Sequence, residues 1–193
     1  MATLKGRGRV EMHKQNKLFL MMFSFFGLAE AMLGPIYAIF VKNIGGDILA
    51  AGSAWSIFML ISGFGIFIMG KIQDKFKNNK NFILLGYSLT SLGFLGYYFV
   101  SNVIQLFLVQ VLLGLGTMIL VPARDSFYTH YIDKNKLASE WAAWESIWFI
   151  IAGIAALVGA FIANKYGFKF LFLTMFFLSL VGIVIATQLK EKK

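Results

Sequence analysis

Six long apolar runs constrain the fold of this 193-residue chain more than any other feature. Each run is about 20 residues or longer, the length that an α-helix needs to cross the hydrocarbon core of a bilayer. The runs cover residues 18–41, 48–69, 82–100, 103–128, 137–163 and 170–189, with short polar breaks between them. The sequence therefore predicts an all-α membrane protein with a basic tail at 1–17, one six-helix domain at 18–189 and a short tail at 190–193.

Composition excludes most other classes of protein. With 59% hydrophobic residues and only two prolines, the chain is too apolar for a soluble domain. The first run is too long for a signal peptide, so we expect it to remain as a span. The chain has no cysteine, and its only histidines are His13 and His130. No paired histidine, serine or carboxylate constellation accompanies them, so we predict no enzyme activity, no cofactor and no metal site.

The positions of lysine and arginine predict the orientation in the membrane. Of the eighteen basic residues, only Lys42, Lys165 and Lys169 fall on the side opposite the termini. By the positive-inside rule, we expect both termini to lie in the cytoplasm. We expect the membrane to be the plasma membrane, which is the inner membrane in a prokaryote. The net charge of +9 is then a topology signal and an attraction to anionic lipid. We expect no nucleic-acid partner.

Glu30 is the foremost candidate for function, because it lies twelve residues into the first run. That is about 18 Å of helix rise, near the middle of the membrane. A charge at this depth costs at least about 2.5 to 3.5 kcal/mol, so such residues usually face a cavity or a partner. We expect Glu30 to carry protons or to balance a cationic substrate. The alternative is a protonated carboxyl that bonds neighbouring helices.

A second group of ionisable residues lies on the fourth and fifth runs. Arg124 and Glu145 are at similar distances from the turn near residue 134, so they could form a pair across a helical hairpin. The alternative is that Arg124, Asp125 and Glu145 simply reach lipid headgroups.

Aromatic residues and a proline give weaker indications. Trp141, Trp144, Tyr128 and Tyr131 are typical of an aromatic belt at the membrane interface. Trp148 lies deeper and is a candidate to line a pathway. Pro35 can bend the first span and free a backbone carbonyl next to Tyr37.

The segment 70–80 lies between the second and third runs and is predicted to be a tight, charged loop. Its spacing resembles the loop between the second and third spans of the major facilitator superfamily, G-x-x-x-D-R/K-x-G-R/K-R/K. Gly70, Asp74 and Lys75 match, whereas Lys77 replaces the second glycine and Asn78 and Asn79 replace basic residues. The resemblance implies that Gly70, Asp74, Lys75 and Asp125 form a conformational latch.

Three other segments are similar to the same family. The fourth run carries its pattern from residue 110 to 116, but Gln110 replaces the usual arginine, which is tied to proton coupling in many members. The join between the fifth and sixth runs also fits, whereas Ala156-Leu157 replaces the Gly-Pro of proton-driven drug exporters. Residues 73–77 and 163–167 echo each other ninety positions apart, as expected for two inverted three-helix repeats.

The resemblance implies half of a twelve-span fold. Two copies could then form a parallel homodimer with a substrate path between them, in which the second span of one copy meets the fifth span of its mate. Small residues allow close packing there, or alternatively within one subunit: Gly52, Ser53, Gly63 and Gly65 on the second span, and Ala152, Ala156 and Ala160 on the fifth. The predicted function is secondary transport of a small solute by alternating access through Glu30, Tyr37, Arg124, Glu145 and Trp148. The alternative is a non-transporting membrane subunit derived from half of a transporter.

Overall fold

All regular structure in the computed structural model is helical over the residues it describes, 14–76 and 78–191. The helices are α1 (Lys14–Ala31), α2 (Tyr37–Asn43), α3 (Ile48–Phe76), α4 (Asn79–Phe99), α5 (Val103–Tyr131), α6 (Leu137–Tyr166) and α7 (Phe168–Ala186). A 3₁₀ turn at Gly34–Ile36 joins α1 to α2, which together form the first span, and a second turn at Lys134–Lys136 precedes α6. Six helical units are long and apolar enough to cross a membrane, which confirms the predicted class.

Several elements begin or end away from the predicted positions. Helix α1 begins at Lys14, inside the predicted tail, and residues 1–13 of that tail lie outside the described residues, as do residues 192–193. The predicted loop at 70–80 is wrong in extent, because α3 continues through Phe76 and α4 begins at Asn79. Lysine, glutamine and phenylalanine do not break a helix, whereas the Asn78 side chain caps α4 by accepting from Asn81 N at 3.3 Å. Lys77 lies outside the described residues.

Pro35 breaks the first span as predicted. The 3₁₀ turn contains this proline, which has no backbone N–H to continue an α-helix. On the fifth span, Gly159 faces the break, and a Cβ at that position would lie 2.8 Å from Met32 Cα. Glycine therefore lets α6 approach the interrupted backbone of the first span. The other proline, Pro122, lies inside the continuous helix α5.

Helices α1, α4, α5 and α7 form the packed centre of the bundle. Helix α5 packs extensively on α3 and α4, while α7 packs on α1 and α4. Glycine makes the α4–α5 contact close: a Cβ at Gly86 would lie 2.9 Å from the backbone nitrogen of Leu120. Aromatic side chains fill the space between the first span, α4 and α7, including Phe26 on Tyr87 and Phe40 on Phe172.

Helices α3 and α6 lie at the sides and are the least buried of the six spans. The two ends of the described chain meet at one end of the bundle, where Lys190 N donates to the side chain of Gln15 at 3.0 Å. We call this the terminal end. Near it, Lys80 Nζ donates to the carbonyl of Thr187 at 2.6 Å, which ties the start of α4 to the residues after α7.

Candidate functional site

Glu30 lies on α1, four residues before the turn that breaks the first span. Its side chain is exposed and lines a cavity between the spans. It therefore faces a concave surface of the bundle. Arg124 on α5 is near enough to act on Glu30 electrostatically.

A cavity of about 100 Å³ opens beside Glu30. Polar side chains in its lining include Glu30, Tyr37, Thr90, Gln110 and Thr117, and most of the remaining surface is apolar. Five spans contribute to it, and the other lining residues are Leu33, Gly34, Trp55, Phe58, Phe94, Tyr97, Leu113 and Met175. A few polar groups in an apolar cavity are typical of a small-molecule site.

Gln110 and Tyr37 connect the fourth span to the start of α2. The Gln110 amide Nε2 donates to the Tyr37 hydroxyl, and Gln110 is 1% exposed, whereas Tyr37 is half-buried. This bond holds Tyr37 directly after the proline turn. Gln110 thus has a structural partner at the position where the family pattern places arginine.

Arg124 does not pair with Glu145 in the described residues, so that prediction is wrong. Its Nε bonds Asp125 Oδ1 at 3.0 Å, and its guanidinium lies over the rings of Trp144, at 5.2 Å, and Phe23, at 5.8 Å. The reason is rotation about the helix axis: Trp144 faces α5, whereas the next residue, Glu145, is turned by about 100° and is exposed.

The tyrosine Tyr87 lies between the charged residues and the packed centre. It is 1% exposed, its hydroxyl has no hydrogen-bond partner in the described structure, and Arg124, Glu30 and Asp125 all act on it electrostatically. A buried hydroxyl without a partner is costly.

The predicted aromatic belt is only partly present. Trp144 and Tyr128 are buried inside the bundle, 5% and 0% exposed, and pack with Phe19 at the terminal end of α1. Trp141 and Tyr131 remain half-buried. Trp148 packs on Gly27 of α1, 3.5 Å from where a Cβ would lie, one turn away from Glu30.

The predicted latch residues lie at the terminal end. Asp74 and Lys75 are exposed, Gly70 is half-buried, and Asp74 makes no ion pair with any described residue. Gly70 and Asp74 line a cavity of about 380 Å³ together with Ser126 and His130. Asp125, the other predicted member, pairs with its basic neighbour Arg124.

Small residues on the second span are divided between two surfaces. Gly65 is buried against Met118 of the same chain. This residue therefore packs inside one subunit, which was the alternative to a dimer contact. Gly52 and Gly63 are exposed, with nothing within 4 Å of a Cβ at either position. On α6, Ala152, Ala156 and Ala160 are half-buried, and the fully exposed glycine of that helix is Gly153.

Comparison with known proteins identifies the family. The model of the Major Facilitator Superfamily matches residues 19–192. The chain belongs to this superfamily.

Three relatives share a quarter of their aligned residues with this superfamily member. An uncharacterised MFS-type transporter of Methanocaldococcus jannaschii, MJ1560, is 25% identical over 82% of the chain and 41% of its own length. The proton-coupled antiporter flippase LtaA of Staphylococcus epidermidis is 26% identical over 80% of the chain and 40% of its own length. The chain thus spans less than half of these two relatives. The uncharacterised MFS-type transporter YitZ of Bacillus subtilis is 25% identical over 75% of the chain and 87% of its own length.

Sequence reasoning missed the apolar lining of the site and one buried acidic residue outside it. The apolar lining, such as Trp55, Phe58 and Met175, has no signal in a chain where apolar residues are everywhere. Glu140 was also missed, because it lies close to the start of its span, where acidic residues usually reach water. The structure instead buries it, at 3% exposure.

Proposed function

We propose that this chain is half of a secondary transporter that carries a small solute by alternating access, with proton coupling through Glu30. The observation that carries the proposal is the placement of this carboxyl, exposed on a concave and mostly apolar surface halfway along a membrane span. A carboxyl in such a place is costly unless it binds a proton, an ion or a solute. The terminal end is then cytoplasmic.

Two inverted three-helix repeats are supported by the packing. In such a repeat, spans one to three correspond to spans four to six. The contact of span two with span four, α3 with α5, then corresponds to the contact of span five with span one, α6 with α1. Both contacts are present. Residues 51–60 of α3 and 141–150 of α6 follow the same order of buried, half-buried and exposed side chains. Helices α3 and α6 also end ninety residues apart, at Phe76 and Tyr166.

The partner in this proposal is a second copy of the chain. The outer faces of α3 and α6 carry small residues in the same spacing. They are Ser56, Gly63 and the half-buried Gly70 on α3, and Ser146, Gly153 and the half-buried Ala160 on α6. In a parallel dimer, α3 of one copy runs antiparallel to α6 of its mate. If Gly63 faces Gly153, each near the middle of its helix, then Ser56 faces Ala160 and Gly70 faces Ser146. Small residues meet at all three levels, which allows close approach of the backbones.

Cross-linking in native-like membranes tests the dimer. The chain has no cysteine, so Gly63→Cys and Gly153→Cys in one molecule provide a clean pair. We expect intermolecular disulfides at this pair and none at a matched pair of Ser62→Cys and Ala155→Cys, which are buried within each copy. A chain that stays monomeric in lipid would contradict the homodimer and favour a non-transporting subunit or a different partner half.

Proton coupling is tested in proteoliposomes that contain a pH-sensitive dye. A panel of small solutes is added under an imposed pH gradient, so that proton movement reports whichever solute is carried. We expect Glu30→Gln to abolish solute-dependent proton movement, while the exposed carboxyl variant Glu145→Gln retains it. Unchanged flux and unchanged pH dependence in Glu30→Gln would remove Glu30 from the mechanism. The flippase activity of the staphylococcal relative belongs to that protein; its proton coupling makes the same mechanism reasonable here.

A further inference from the structure

Glu140 is the one acidic side chain that is buried in the described part of the chain. It is the fourth residue of α6, near the terminal end, and keeps 3% of its surface exposed. Its backbone carbonyl accepts a hydrogen bond from the Tyr128 hydroxyl at 2.6 Å, which fixes the start of α6 against α5. The transport site around Glu30 does not use this carboxyl.

The carboxyl has no positive partner among the described residues. Its side-chain hydrogen bond comes from the amide of Asn16 on α1, at 3.4 Å. On α1, Lys14 and Lys17 are exposed, and on α5, Arg124 is paired with Asp125. The titratable and charged groups on the nearby segments are Lys14, Lys17, Arg124, Asp125, Tyr128, His130, Tyr131, Asp133, Lys134, Lys136, Glu145, Lys190 and Glu191. The ion pairs of the described residues do not include Glu140. An ionised carboxylate buried in this way loses its hydration, and one amide hydrogen bond replaces only part of it.

The side chain of Asn16 also has an unsatisfied polar atom. It is 0% exposed, and its Oδ1 has no hydrogen-bond partner in the described structure. An ionised carboxylate only accepts hydrogen bonds, so it can pair with the N–H of an amide but never with the oxygen. A protonated carboxyl has one O–H donor and one C=O acceptor. Side by side with a primary amide, it satisfies both amide groups at once, the O–H on Oδ1 and the Nδ2–H on the carboxyl oxygen.

We infer that Glu140 carries a proton while the terminal ends of α1 and α6 are packed together, and that it releases this proton to water when they part. In the release step, the O–H bond of the carboxyl breaks and its electron pair stays on the carboxylate, which is then hydrated. Asn16 and Glu140 thus form a proton-dependent clasp between the first and fifth spans. This clasp needs no substrate and does not depend on the proposed transport.

Its use in transport does rest on the proposed function. Asn16 and Glu30 are fourteen residues apart on α1, about 21 Å of helix rise. The clasp is therefore a second proton-binding position, distinct from the one at Glu30 and closer to the terminal end. Protons that leave Glu30 toward that side would meet Glu140 at the point where the helices open.

Infrared difference spectra of the full chain in nanodiscs test the protonation directly. Between acidic and alkaline buffer, wild type should lose the carbonyl band of a buried protonated carboxyl. The Glu140→Gln variant should lack that band, because its amide has no titrating proton. The carboxyl variants Glu30→Gln and Glu145→Gln should retain it, which separates this clasp from the transport site. A wild-type difference spectrum identical to that of Glu140→Gln would overturn the inference.

Spin-label distances test the mechanical part. Lys17→Cys and Ala138→Cys place labels on exposed positions of α1 and α6, on either side of the clasp. We expect one short distance in acid and an added longer distance in alkali. In Glu140→Gln, whose amide can still pair with Asn16, the short distance should persist at both pH values. A longer population that appears equally in wild type and Glu140→Gln would mean that Glu140 does not control the contact.

Discussion

The bond between Gln110 and Tyr37 makes a sharp prediction, because its two partners differ in their access to water. Gln110 is 1% exposed, whereas Tyr37 is half-buried and lines the cavity. Removing the Tyr37 hydroxyl leaves a buried amide without its acceptor. Removing the Gln110 amide leaves a hydroxyl that can turn to water in the cavity. The two substitutions should therefore differ in cost although they break the same bond.

The magnitudes follow from that difference. An unpaired buried polar group costs about 1 to 3 kcal/mol, but the Tyr97 hydroxyl also lies beside Gln110 and can accept one amide hydrogen. For Tyr37→Phe we therefore expect about 1 to 2 kcal/mol, the lower part of that range. For Gln110→Leu we expect about 0.6 kcal/mol, the average worth of a hydrogen bond between helices in a membrane protein. The double variant should cost no more than Gln110→Leu alone, because no amide is left to be orphaned.

The assay is unfolding of the purified protein in mixed micelles, with increasing SDS and with helix content followed by circular dichroism. A double-mutant cycle of wild type, the two single variants and the double variant gives the coupling energy. Two results would refute the reasoning: costs that add in the double variant, or a larger cost for Gln110→Leu than for Tyr37→Phe. Either result would mean that Gln110 is not held by Tyr37 in the folded protein.

Three further substitutions test other contacts by the same unfolding assay or by hydrogen exchange. Gly86→Leu should cost about 3 kcal/mol or more, since a Cβ there meets the backbone of Leu120. The control Gly52→Leu should change the stability of the monomeric chain by less than about 0.5 kcal/mol. Similar costs for the two variants would contradict the α4–α5 packing. Arg124→Ala should cost about 1 to 2 kcal/mol through its contacts with Trp144 and Phe23, and Arg124→Lys should recover part of it; no loss in either variant would mean that the guanidinium is not held on these rings. Lys80→Met should speed amide exchange in residues 187–191 without changing global stability, and unchanged exchange would show that this tie is not formed.

The sequence predicted the class and the spans because the bilayer imposes a length and a polarity that few other folds require. It failed where charge was taken as a sign of a loop. Residues 71–76 are mostly polar and still continue α3, since lysine and glutamine are good helix formers. The pairing of Arg124 with Glu145 failed for a related reason: distance from a turn fixes the depth of a residue but not the face of the helix that it occupies.

The site was predictable in proportion to how unusual each residue is in its surroundings. Glu30 was found because a carboxyl in the middle of an apolar run is costly and therefore rare unless it serves a function. Gln110 was noticed as a departure from a family pattern, but its partner Tyr37 depends on the proline turn, which sets the register of α2 against α5. The buried pair of Asn16 and Glu140 joins residues 124 positions apart. No local pattern could have shown that contact.

Helix α1 links the two carboxyls mechanically. It carries Glu30 on the cavity side and Asn16 at the clasp, and it ends at Ala31, just before the proline turn. Glycines allow it to pack closely on its neighbours: Gly27 faces Trp148 of α6, and Gly182 of α7 faces Phe26. Both residues lie on one continuous helix, so a rigid movement of α1 that opens the proposed clasp at Asn16 would also move Glu30 relative to Arg124 on α5. In the proposed mechanism, protonation at one carboxyl therefore changes the surroundings of the other.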